Sequence, residues 1–164
     1  LLDGGVHFVA STRLLLGEEA KPVAVTAYTN LLREHLPPVD TINSIWTTKS
    51  GISGTFSVSF GTTLSGSEYT IACEQGSVSV IGPSKVIVRQ GEEKDGNVSE
   101  TDFKDTGEGN GTEQEVAAWA QSIVDGKPNA RQSPEEALAD LEILEKLLRS
   151  GESQGKSQTL EYQL

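Results

Sequence analysis

The feature that most limits the possible folds is a change of hydrophobic period part-way along the chain. Residues 6–16 carry apolar side chains at helical spacing, with Val6, Val9, Ala10, Leu14 and Leu16 on one broad face and Gly17 placed to stop the helix. From residue 23 the pattern turns to alternation. Residues 23–29 are rich in β-branched side chains, residues 41–48 follow, and residues 55–60 alternate strictly, with Phe56, Val58 and Phe60 opposite the Ser/Thr set. Residues 68–73, 77–81 and 85–89 read as further strands, broken by Gln75-Gly76 and Gly82-Pro83, with a short one near 98–103. Successive strands joined by such short turns predict an open, mostly antiparallel or mixed sheet.

The C-terminal part returns to helical spacing. Thr112 with Glu115 fits a capping box, and Val116, Ala117, Trp119, Ala120, Ile123 and Val124 form an apolar face that ends at Gly126. Ser133-Pro134-Glu135-Glu136 is a stronger start signal, with Ser as cap, Pro at the first helical position and Glu in the first turn. That helix is expected to reach Ser150, stop at Gly151, and bury Ala137, Leu138, Leu141, Ile143, Leu144 and Leu148. Trp46, Trp119 and Cys73 are read as core residues. Together these elements predict an α/β (α+β) domain with helices packed on one face of the sheet.

A chain of 164 residues is long enough for one domain with its own core. Its 13 basic and 24 acidic residues leave a formal charge of −11, which argues against nucleic acid or an anionic membrane as partner. The only cysteine is Cys73, so no internal disulfide forms, which fits a reducing, cytoplasmic compartment. Residues 1–16 are apolar, but Asp3, His7 and Arg13 interrupt them and exclude both a membrane span and a signal peptide. The chain contains no Met and reads as a piece of a longer protein.

The chemistry-bearing residues stand at the head of the first helix, in Leu1-Leu2-Asp3-Gly4-Gly5-Val6-His7. Side chains at i and i+4 share one helix face, so Asp3 and His7 look out of one spot. Imidazole titrates near neutral pH and can take a proton from an alcohol or return it to a carbonyl. A carboxylate one turn away can orient the imidazole or hold a hydroxyl. Gly4 and Gly5 would let a flat ligand approach the backbone. The alternative is that Asp3 merely caps the helix and His7 packs in the core. Arg33, Glu34 and His35, after the first strand, either line the same cleft and grip a polar substrate or form an exposed loop.

These residues, followed by Arg13-Leu14-Leu15-Leu16-Gly17, resemble the start of the second domain in the Gfo/Idh/MocA family, the relatives of glucose–fructose oxidoreductase and inositol dehydrogenase. The strand series, the turn at Glu74-Gln75-Gly76-Ser77-Val78, the helix at 113–125 and the Ser133-Pro134-Glu135-Glu136-Ala137 helix continue the resemblance over the whole chain. The resemblance implies that residues 1–164 are one C-terminal substrate-binding and oligomerisation domain, with the N-terminal Rossmann domain outside this chain. It implies NAD or NADP, bound mainly by that other domain, and hydride transfer at a CH–OH group of a sugar, polyol or dihydrodiol-like substrate. His7 would be the acid/base, Asp3 would bind or orient substrate, and Gly4 and Gly5 would face the nicotinamide. The open sheet face would form a homo-oligomer, and the isolated fragment would be inactive. The alternative is a non-catalytic binding, regulatory or dimerisation module on the same fold.

Some motifs are set aside. Gly107-Glu108-Gly109-Asn110-Gly111-Thr112 lacks the strand-to-helix setting of a nucleotide loop, and Glu108 would repel phosphate. Glu19-Ala20-Lys21-Pro22 imitates the family's Glu-Lys-Pro motif but follows His7 and has an extra residue, so Lys21 is read as a turn residue. Glu92-Glu93-Lys94-Asp95 has no accompanying His or spaced carboxylates and is read as a solvated loop, with no metal.

Overall fold

Helix α1 spans Leu2–Leu16, starting earlier than the apolar spacing predicts. The computed structural model describes residues 1–63, 65–82, 84–91, 97–102 and 111–163. Two glycines near a helix start are unfavourable by propensity, but each fits a tight contact. Gly5 is buried against Leu144, and a Cβ built at Gly4 would lie 2.6 Å from Cζ of Phe60. Tertiary packing therefore overrides propensity here. Leu1 is the N-cap and makes no side-chain cap bond, so Asp3 lies inside the first turn and is not the cap. Gly17 ends the helix as expected, with φ 65° and its N–H donated to the Arg13 carbonyl.

The chain forms two compact units. The first comprises Leu1–Thr63 with Pro128–Leu164, and the second Leu64–Lys127. The expected single open sheet is divided accordingly into two four-stranded antiparallel sheets. In the first unit β1 (Pro22–Asn30), β2 (Thr41–Thr48), β3 (Ser53–Ser59) and the short β8 (Gln158–Thr159) pair in the order β3-β2-β1-β8. In the second, β4 (Glu68–Cys73), β5 (Gly76–Ile81), β6 (Lys85–Gln90) and β7 (Asn97–Asp102) form a meander.

The core belongs to the first unit. Strand register puts Val25 opposite Trp46, Ala27 opposite Ser44, and Ser44 opposite Phe56, all on one sheet face. Helix α3 (Pro134–Glu152) packs on that face through Ile143, Leu144 and Leu147, and α1 adds Val9. Each such side chain contributes roughly 1.5–3 kcal/mol by leaving water. The Trp46 and Phe56 rings stack at 4.9 Å. Trp46 Nε1 donates to the Ser44 hydroxyl at 3.0 Å, and that hydroxyl donates to the Phe56 carbonyl at 2.8 Å, so the polar Ser44 is satisfied within this layer.

Helix α3 starts as the sequence predicts. Ser133 caps it, accepting the Glu136 N–H at 3.2 Å, and Pro134 is the first helical residue. Its inward face holds Ile143 and Leu144 as expected and adds Ala139, Leu147 and Ser150, while Ala137, Leu138 and Leu141, expected to be buried, are exposed. The helix also runs through Gly151, whose missing side chain lets it pass directly over Thr29. Pairing of β8 with β1 covers only Ala24 and Val25. Past it, Ser150 Oγ accepts the Ala27 N–H at 2.8 Å and so completes the strand edge. The chain after α3 is ordered by Glu142, whose buried carboxylate accepts the N–H groups of Glu161 and Tyr162 and the Gln163 amide.

In the second unit α2 covers Thr112–Asp125. Gly111, at φ 87°, stands at the N-cap, so Thr112 is the first helical residue and not the cap that the capping-box reading makes it. None of the helix is buried, so Trp119, 58% exposed, is not a core residue. Cys73 is also exposed, at the end of β4 beside the Glu74-Gln75 turn, and is not a core residue. The glycine run at 107–110, the acidic cluster at 92–95 and Phe103 lie outside the described residues.

Candidate functional site

The N-terminal turn of α1 presents both sequence candidates on one face. Asp3 and His7 lie four residues apart on the helix, and both are exposed. Neither side chain has a hydrogen-bond partner among the described residues. The bland alternatives do not hold, since Asp3 caps nothing and His7 is outside the core. An acid in the first turn also interacts favourably with the positive end of the helix dipole. The pair is thus a carboxylate and an imidazole exposed on one face at the helix start.

Beside that face runs the ridge of Gly4 and Phe8. The Phe60 ring lies on it, in contact distance of Gly4 and tilted against Phe8 with centroids 6.4 Å apart. Phe60 stands just past β3 and is 39% exposed, in contrast to Phe56 on the same strand face. The close approach allowed by the bare backbone at Gly4 and Gly5 is therefore made by this chain's own Phe60 and Leu144.

Arg33 and His35 lie in the loop between β1 and β2, and both are exposed. The loop is held by Asp40, which is fully buried. Its carboxylate accepts the N–H groups of Leu32 and Arg33, at 3.0 and 2.8 Å, and the Thr41 hydroxyl at 2.9 Å. Burial by itself would raise the Asp40 pKa, but the donors from Leu32, Thr41 and Arg33 outweigh it and hold the group below its ordinary 3.8. The Asp40 carbonyl accepts the Phe60 N–H at 2.9 Å. Gly61 abuts the same carboxylate, and its carbonyl accepts Arg33 Nε at 3.1 Å.

Phe60-Gly61 is therefore the joint between the two sets of candidates. Phe60 meets α1 beside Asp3 and His7, and Gly61 meets Arg33. His35 makes no contact of this kind among the described residues. Sequence reasoning placed Phe60 only on a strand face and passed over Asp40 and Gly61. An acid directly before a β-branched strand is the one local sign that Asp40 has a structural task. Lys21 lies in the turn before β1, paired with Glu18, as expected of a turn residue. Among the described residues no cluster of metal-ligating side chains occurs, and no helix is long and apolar enough to cross a membrane.

Residues 1–159 match the family model described as oxidoreductase family, C-terminal alpha/beta domain. The chain is 39% identical over 167 aligned residues to dehydrogenase FPY6 of Fusarium mangiferae, covering 99% of this chain and 46% of that protein. A crystal structure of an oxidoreductase from Thermotoga maritima is similar at TM-score 0.75 and 28% identity, over 99% of this chain and 44% of that one. Levoglucosan dehydrogenase, in complex with NADH and levoglucosan, has the same fold at TM-score 0.78 and 13% identity, over 94% of this chain and 48% of that one. The chain thus spans about half the length of the relatives it matches. With the α1 motif, the strand series and the α3 start all in family order, the chain belongs to the Gfo/Idh/MocA oxidoreductase family as its C-terminal α/β domain.

Proposed function

We propose that this chain is the substrate-binding half of an NAD(P)-dependent dehydrogenase acting on a CH–OH group of a sugar, polyol or dihydrodiol-like compound. The observation that carries the reading is the exposed, unpartnered Asp3–His7 pair at the start of α1, in a chain matched to an oxidoreductase family along almost all its length. The NADH and levoglucosan bound by one structural relative support the cofactor and substrate class. NAD or NADP, held mainly by a Rossmann domain outside this chain, would accept the hydride.

The residues of this chain then have the polar half of the task. His7 takes the hydroxyl proton through its imidazole as the alcohol is oxidised and returns it in the reverse direction. Asp3, one turn earlier, holds a substrate hydroxyl or orients the imidazole. Arg33 offers its guanidinium to further hydroxyl oxygens, with Nε kept on the Gly61 carbonyl. Gly4 and Gly5, next to Asp3 on the same turn, would face the nicotinamide. Without that cofactor domain the isolated chain would be inactive, and a single cysteine, which leaves no internal disulfide, suits a cytoplasmic setting.

A homo-oligomer would use the outer face of the β3-β2-β1-β8 sheet, where Tyr28 and Ile45 are exposed at 62% and 51%. Light scattering of the full-length protein tests that part.

The test of the chemistry is NAD(P)-linked oxidation by the full-length protein across sugars, polyols and dihydrodiols. His7→Ala should lower kcat by about 10²–10⁴-fold, the usual contribution of a positioned acid/base. Asp3→Ala should chiefly raise KM. Cofactor binding without turnover of any substrate, or a fully active His7→Ala, would replace this reading by that of a non-catalytic binding module.

A further inference from the structure

We propose that Phe60 determines substrate shape: its ring is an apolar wall beside the Asp3–His7 pair, for the C–H face of a cyclic sugar or cyclitol. The inference rests on the reading of Asp3 and His7 given above and adds to it the distinction between ring and open-chain substrates.

Three observations meet at this residue. Phe60 is 39% exposed, although it follows a strand whose other aromatic, Phe56, is 8% exposed. It touches Gly4 and Phe8, the residues that directly follow Asp3 and His7, so it stands on the neighbouring helix ridge, about 100° round the axis. It is also set from below, since its N–H is bound by the Asp40 carbonyl and Gly61 is pressed on the Asp40 carboxylate. Asp40 is thus a positioning residue for both Phe60 and Arg33.

A pyranose or cyclitol has two kinds of surface. Hydroxyls project around its edge, and C–H groups form its two faces. The edge needs charged and polar partners, which Asp3, His7 and Arg33 supply. A C–H face needs an apolar plane, and binding sites of this kind combine aromatic walls with a few convergent polar groups. An open-chain polyol has hydroxyls on every side and gains little from such a plane. A site with Phe60 in this position therefore favours a ring.

The experiment compares a cyclic substrate with a linear polyol in the full-length enzyme, as KM, or as an inhibition constant where a compound is not turned over. Phe60→Leu keeps apolar volume and removes the plane. It should raise KM for the ring about tenfold and shift that for the linear polyol by less than about twofold. Phe60→Tyr should restore the wild-type ratio. Gly4→Ala keeps the Phe60 side chain but displaces its ring from the helix, and should move the same ratio in the same direction. Equal shifts for both compounds, no shift, or no rescue by Phe60→Tyr overturns the proposal. His7→Ala run in parallel separates the two ideas. If it stays active while Phe60→Leu changes the ratio, the wall stands and the acid/base assignment falls. If wild type oxidises none of the compounds and binds both kinds equally, both fall.

Discussion

The buried carboxylate of Asp40 accepts the backbone N–H of Arg33 at 2.8 Å, across seven residues of chain. One acid thereby shapes the loop that presents the guanidinium, and its carbonyl fixes Phe60. The same geometry has a consequence for stability against pH.

The Asp40 carboxylate has its pKa lowered below 3.8 in the folded chain. The ionised form is therefore favoured more by the folded than by the unfolded state, and it stabilises the fold at every pH above 3.8. That contribution is lost as pH falls below 3.8 towards the folded value. Asp40→Asn should lower Tm at pH 7 and flatten its dependence on pH in the acid range. Thermal melts between neutral pH and about pH 3 check this. An unchanged acid limb in the variant would contradict it.

Ser44 serves Trp46 and Phe56 at once. Ser44→Ala leaves the buried indole N–H without a partner and should cost about 1–3 kcal/mol. Urea unfolding followed by tryptophan fluorescence measures the loss. A change below the error of the fit would show that the indole finds another acceptor.

Gly151 passes over Thr29 with no room for a side chain. Gly151→Ala gains helix propensity but forces the two elements apart, and overpacking of this kind typically costs about 1–3 kcal/mol. Adding Thr29→Ala should recover part of it, because it removes the atoms that the new methyl meets. A double-mutant cycle with no coupling energy would mean that α3 ends differently.

Glu142 holds the last described residues. Glu142→Gln replaces one acceptor oxygen by a donor that faces the N–H groups of Glu161 and Tyr162 or the Gln163 amide. Carboxypeptidase digestion should then shorten the chain several-fold faster than wild type, with β1–β3 and α3 still protected in hydrogen exchange, as local opening allows. Equal digestion rates would show the latch to be unimportant.

Local chemistry made part of this chain readable. The β2 and β4 strands have the bounds that alternation predicts, the Ser133-Pro134 cap forms as read, and Gly17 ends α1. Asp3 and His7 share a face because i and i+4 do so in any helix. The family was legible as well, since its motifs follow in order through residues 1–159.

What the sequence by itself determined, then, is whatever depends on neighbours within about one helical turn or one hairpin: element types, the α3 cap and the Asp3–His7 face. Tertiary structure alone decided the rest. The early start of α1 depends on Phe60 and Leu144 filling the spaces over Gly4 and Gly5. Gly151 reads as a stop, yet it is a crossing point because Thr29 lies beneath it. Trp119 and Cys73 read as core residues, yet no layer of the described chain buries them. The site's framework, Asp40 with Arg33, Phe60 and Gly61, joins residues up to 28 positions apart. Contacts of that range are set by how strands and helices pack, which no local pattern of residues encodes.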